Sequence, residues 1–251
     1  MTTKTVSIIG TAGRGADERR LSAEMFRTMV EQTRRQIVDV WKLTPWNEVR
    51  LVSGGAAGGD HVAVRLFLDH VDEGARLTLH MPCDFDIVTL STAASGDVPR
   101  SRSSTAQFRD SGERSWQSNP GASANMYHRR FARQCGWATD TTLDEIAAAV
   151  EAGADVVVHR GFHARNRVVA QSDYVFAMTF SGDRARSNGD SDRSNGDSAG
   201  SNGDRVVGDS AMAGVYSITG RPSVPKEGGT ADAWRQARGT KHHLDLCTYL
   251  R

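Results

Sequence analysis

Short β-branched runs alternate with stretches of helical spacing along most of this chain. Val6-Ser7-Ile8-Ile9 stops at Gly10-Thr11-Ala12-Gly13-Arg14-Gly15, the pattern of a buried strand running into a flexible loop. Leu21, Met25, Phe26, Met29, Val30, Ile37 and Trp41 then recur at helical spacing and predict one long amphipathic helix. A second strand, Val49 to Val52, runs into Ser53-Gly54-Gly55-Ala56-Ala57-Gly58-Gly59-Asp60, and Val62, Ala63, Leu66, Phe67 and Val71 continue as a helix. Leu77-Thr78-Leu79-His80 is a third strand, ending at Met81-Pro82. Strand, glycine loop and helix in repetition predict an α/β fold, Rossmann-like and doubly wound, with a mainly parallel sheet.

The pattern fades from about Asp84 to Thr141, a stretch rich in Ser, Arg, Asn and Gly with a helix only around Met126 to Arg133. A segment that long inside a compact domain reads as a central insertion or lid. Beyond it come a helix near Leu143 to Ala152, an ambiguous Val156-Val157-Val158, a short helix Arg165 to Gln171 and a strand Tyr174 to Phe180. The unit Ser-Asn-Gly-Asp then recurs at Ser187, Ser194 and Ser201. Its polarity cannot offset the entropy of ordering, so residues of about 184–204 are expected to form a disordered repeat loop. That repeat lacks the ligand set of a calcium site. Val215 to Ile218 and Leu244 to Tyr249 are further strand candidates, with a helix Ala231 to Arg238 between them.

Length and composition narrow the function classes. The 251 residues suit a single domain over 1–251. Lys+Arg 31 against Asp+Glu 30 leaves a formal charge of +1, which disfavours nucleic acid as a partner. No apolar run reaches the length of a membrane span or a secretory core. Cys83, Cys135 and Cys247 are dispersed and match no metal spacing, so they read as reduced structural thiols of a cytoplasmic protein. No metal and no cofactor is expected. A homodimer stays open, without an exposed apolar stripe to carry it.

Four segments carry chemistry. Gly10, Thr11, Gly13 and Arg14 follow a strand, where backbone amides can converge on an anion at the positive end of a helix; a tight turn is the plainer reading. Ser53, Gly54, Gly55 and Gly58 stand in a run with almost no side chains to keep a ligand from the main chain. Asp60 at its end either caps the next helix or accepts hydrogen bonds from a ribose or a water. Arg165, placed at a helix start against the dipole, is explained by an intervening anion, and Asn166 offers an amide to a base or sugar. Gly228, Gly229 and Thr230 form another backbone cradle, with Asp232 in the first helical turn, where a carboxylate is favoured whatever its task. All four lie at junctions where open α/β sheets place ligands.

At Ile8-Ile9-Gly10-Thr11-Ala12-Gly13-Arg14, at Ser53 through Asp60, at Arg165-Asn166 before Ser172-Asp173, and at Gly228-Gly229-Thr230, the chain resembles the SLOG superfamily. These are Rossmann-like proteins that include the LOG phosphoribohydrolases, DprA and the YpsA-type proteins, and the pieces arrive in the family's order. The resemblance implies a pocket for a nucleotide or nucleotide-derived phosphate ligand, with Arg165 on the phosphate. LOG enzymes cleave the N-glycosidic bond of nucleoside monophosphates and carry Gly-Gly-x-Gly-Thr followed closely by a catalytic Glu. Here Gly228-Gly229-Thr230 lacks the x-Gly step and Asp232 follows. For such hydrolysis the carboxylates are Asp232 and Asp60, since an oxocarbenium-like transition state needs one nearby. The alternatives are a non-catalytic sensor or sequestering protein for a signalling nucleotide and, third, a single-stranded nucleic-acid binder.

Overall fold

A computed structural model describes residues 3–89, 104–180, 225 and 229–250. Six strands form its main sheet: β1 (Lys4–Gly10), β2 (Val49–Ser53), β3 (Arg76–Met81), β6 (Asp155–Val158), β7 (Tyr174–Thr179) and β8 (Thr240–Asp245). Their order is β6-β3-β2-β1-β7-β8, and every neighbouring pair is parallel. The chain steps outward from β1 to β6, then returns to lay β7 against the free side of β1. That reversal between β1 and β7 is a topological switch point, where the crossovers on either side diverge and leave a crevice at the carboxyl ends.

The alternation within the central strands explains why both sheet faces are covered. Val6 and Ile8 of β1, with Phe176 and Met178 of β7, enter the larger core with α1 (Ala23–Arg35) and α2 (Val62–His70). Ile9, Val175 and Ala177 point the other way, into a smaller core with Val169, Ala233 and Trp234. These last belong to α5 (Phe162–Val169) and α6 (Gly229–Gln236). Period-two side chains that are apolar on both faces require helices on both faces, so the sheet is doubly wound.

Several boundaries differ from those read along the chain. The expected long helix over residues 21–41 begins only after Ser22, whose hydroxyl accepts the Met25 amide at 3.1 Å, and its last turn widens to a π-helix over Gln36–Val40. The stretch where the pattern fades holds β4 (Phe85–Thr89) paired antiparallel with β5 (Ser104–Phe108), and the helix expected around Met126 to Arg133 extends over α3 (Pro120–Gln134). Asn119 caps α3 by accepting the Ala122 amide. The helix α4 (Thr141–Glu151) packs beside it. Val156, Val157 and Val158 form the edge strand β6 and stay exposed. The strand expected over residues 244–249 lies earlier, at Thr240–Asp245. The Asp245 carboxylate accepts the Cys247 amide at 2.9 Å, which turns the chain into a 3-10 helix, Leu246–Tyr249. The Ser-Asn-Gly-Asp repeats and the strand candidate Val215 to Ile218 lie outside the described residues. No helix among the described residues is long and apolar enough to cross a membrane.

Candidate functional site

A cavity of about 160 Å³ opens at the switch point. A single water needs roughly 15 Å³ of such space, so a polyatomic group fits. The end of β1 contributes Gly10, Thr11 and Arg14; the loop after β2 contributes Gly54 and Asp60; α5 contributes Arg165 and Asn166; α6 contributes Gly229 and Thr230. Residues from four segments of the chain thus meet in one place.

Close backbone approach holds these loops together. A Cβ on Gly58, whose φ is +72°, would sit 2.3 Å from the Thr11 carbonyl oxygen, and one on Gly59 would sit 2.5 Å from the Gly10 Cα. Only residues without Cβ let the second loop lie on the first. The Gly59 amide then donates to the Thr11 carbonyl at 2.9 Å. The Thr230 hydroxyl donates to the Gly10 carbonyl at 2.9 Å, tying α6 to the same corner. Gly58 therefore serves loop packing and does not line the cavity, nor do Gly13, Ser53 and Gly55, the last of which lines a smaller adjoining hollow. Ser53 donates its hydroxyl to the Asp60 carbonyl and accepts the Gly55 amide, and Gly13 donates its amide to the Thr11 hydroxyl. Gly228 lies outside the described residues.

Asp60 is buried and does not cap α2; its Oδ1 accepts the Gly10 amide at 2.9 Å. Burial pushes its pKa up, against the Arg165 charge and the amides of Gly10, Ala56 and Gly54, which all favour the carboxylate. The anion in the second glycine loop is thus the protein's own side chain.

Arg165 is the fourth residue of α5, which starts at Phe162, three residues earlier than expected. Only 9% of it is exposed. Its Nη1 donates to the Gly54 carbonyl at 2.9 Å, and its Nε and Nη2 donate to the Asn166 Oδ1 at 3.2 and 3.0 Å. Both acceptors are neutral, and among the described residues no carboxylate lies within 4 Å of its nitrogens. Burial lowers its pKa, Asp60 raises it and Arg14 lowers it further; a guanidinium nevertheless keeps its proton. A buried cation held by neutral groups on a cavity wall is suited to an incoming anion.

Asp232 stands apart. It is not among the cavity residues; its carboxylate, about a third exposed, lies 3.8 Å from Arg235 and 3.9 Å from His163. On a helix, the face shared by positions 229, 230 and 233 is turned roughly 100° away from position 232.

Three residues to which the sequence reading gave no role support the site. His128 of α3 is fully buried and reaches the Gly55 carbonyl at 3.1 Å through Nε2, with the Thr142 hydroxyl 3.0 Å from Nδ1. Bonding to a carbonyl requires the Nε2–H tautomer, so Nδ1 accepts from Thr142. Burial pushes its pKa down to about 3, which keeps it neutral. Tyr127 lies under the Arg14 guanidinium, 5.1 Å from ring centroid to Cζ, and Phe162 lies 5.4 Å from the Arg165 Cζ. For Tyr127 and His128 the spacing Ala124, Tyr127, His128, Phe131 was the available signal, in and just before the helix expected around Met126 to Arg133. Burial also pushes the thiols of Cys83 up to about 11 and Cys135 up to about 12, so neither is a thiolate at neutral pH.

No family model matches the chain. An uncharacterized protein of Acanthamoeba polyphaga mimivirus is 32% identical over 179 residues, which cover 70% of this chain and 81% of that protein.

Proposed function

The chain belongs to one family with that mimivirus protein, and we propose that it binds a nucleotide or nucleotide-derived phosphate ligand in the switch-point cavity. The observation that carries this reading is Arg165: a buried guanidinium on the cavity wall whose hydrogen bonds all go to neutral acceptors. Three of its five N–H donors are used in those bonds, leaving two for a phosphate. The first turn of α6, at Gly229 and Thr230, adds the positive end of a helix to the same cavity. The resemblance to SLOG proteins supports the same ligand class.

Binding without turnover fits the site better than hydrolysis does. Hydrolysis of an N-glycosidic bond needs a carboxylate free to face the anomeric carbon or a water. Asp60 is engaged by backbone amides, Asp232 is not on the cavity wall, and Asp17, which is buried on that wall, lies 3.8 Å from Arg20. That arrangement supports a sensor or sequestering role.

Isothermal titration with a panel of nucleoside mono-, di- and triphosphates tests the reading. One of them is expected to bind, and Arg165→Ala to weaken it by about 1.5–3 kcal/mol, the size of a charge-assisted hydrogen bond. Equal affinity in the variant removes Arg165 from the site. Chromatography of the same mixtures is expected to show no released base; steady release would restore the hydrolase.

A further inference from the structure

A second, smaller hollow of about 40 Å³ adjoins the cavity and shares Ala12, Arg14, Ala56 and Arg165 with it. Its remaining walls have a different chemistry. Ala57, Ala124 and Pro82 supply small apolar surface, and Tyr127 and Phe162 supply rings. Each ring lies beside a guanidinium that also lines the larger cavity: Tyr127 with Arg14, Phe162 with Arg165. Trp116, half exposed, continues the aromatic surface outward, its ring centroid 6.1 Å from that of Phe162.

We propose that this hollow is the base subsite of the same ligand, taking the edge of a planar aromatic heterocycle between Tyr127 and Phe162 while Arg165 holds the phosphate. The inference rests on the phosphate reading above. Small side chains make a slot, and flat π surfaces with guanidinium planes favour another flat π system over an alkyl chain. Among the described residues no acidic side chain lines the slot, so a neutral base meets no desolvated carboxylate from them there. Arg165 and Arg14 border both spaces, so one molecule with an anionic end and an aromatic end spans them. Tyr127 comes from α3, the helix that His128 anchors to the glycine loop, so the slot is set by an element outside the strand-loop-helix repeat. The protein then distinguishes nucleotides from sugar phosphates.

The test compares adenosine, guanosine, cytidine and uridine 5′-monophosphates with ribose 5-phosphate by isothermal titration. The best nucleotide is expected to bind at least roughly tenfold more tightly than ribose 5-phosphate, the scale of one base–aromatic stack. Tyr127→Ala, checked for native circular dichroism, is expected to close most of that gap, and Tyr127→Phe to keep it. Should Tyr127→Ala not fold, Phe162→Leu, which keeps bulk without a π face, is expected to narrow the gap instead. Equal affinity of wild type for nucleotides and ribose 5-phosphate overturns the base subsite while leaving the phosphate site standing. A gap that survives in the folded variant likewise overturns it. Failure of every phosphate compound to bind overturns the phosphate reading itself, and the subsite with it.

Discussion

At the scale of single residues, Asp60 and Asp232, the two carboxylates the sequence singled out, have opposite fates. Asp60 accepts backbone amides from two loops and is buried beside Arg165, so it acts as an internal counter-ion that shapes the site. Asn at this position offers one oxygen where amides of Gly10, Gly54 and Ala56 converge on two, and turns an NH₂ toward donors. Asp60→Asn is therefore expected to destabilise the fold by about 1–3 kcal/mol, the cost of buried groups left unsatisfied. Urea denaturation measures it, and wild-type stability would return Asp60 to the list of groups free for chemistry. Asp232, by contrast, is partly exposed beside Arg235 and His163, where substitution touches only surface ion pairs of small value. Its place after Gly-Gly-Thr was visible in the chain, but its direction was not, because direction depends on where α6 begins.

At the scale of elements, the site depends on how closely two loops can approach. Gly58 combines a positive φ with a neighbouring carbonyl that would be 2.3 Å from any Cβ. Gly58→Ala is expected to cost about 2 kcal/mol or more, since left-handed strain and a backbone clash add. The melting temperature should drop by several degrees, and a drop of under a degree would show that the loops are not packed so tightly. Patterning described the strands β4 and β5 not at all, and the helix α3 only in part. Its apolar face is made of small residues and aromatics, including Ala124, Phe131 and the buried His128, and it follows residues whose composition reads as loop. Much of that helix touches other elements, and its polar His128 is buried because Gly55 and Thr142 satisfy it. A histidine with both nitrogens satisfied by distant partners leaves no local trace.

At the scale of the whole molecule, three imidazoles are held neutral by burial: His128 with a pKa near 3, His80 and His243 near 4. Each lies below the unfolded value of about 6.5, so between those limits the unfolded chain binds more protons than the folded one. The stability they leave intact above pH 6.5 is lost as pH falls toward 4. Asp60, raised by burial, works in the opposite sense, because the folded protein takes up its proton first on acidification. With the buried histidines outnumbering the raised carboxylates Asp60 and Asp144, the unfolding free energy from urea titrations is expected to fall steadily from pH 7 to pH 5, by on the order of 1 kcal/mol per pH unit for each histidine once it titrates in the unfolded state. A flat profile would contradict the buried neutral imidazoles. The chain by itself determined the alternation of strand, glycine loop and helix, and with it the α/β class and the parallel sheet, because hydrophobic periodicity and glycine placement are local properties. It also marked Gly10, Gly54, Arg165, Gly229 and Thr230, which the fold brings to one cavity. Only the tertiary structure decided that β7 returns beside β1 to open that cavity, that Asp60 faces inward to the amides while Asp232 does not, and that Tyr127 and Phe162 wall a neighbouring slot. Those are relations between residues far apart in sequence, such as Gly10 with Asp60 or Thr230, and long-range packing sets them, which spacing along the chain does not record.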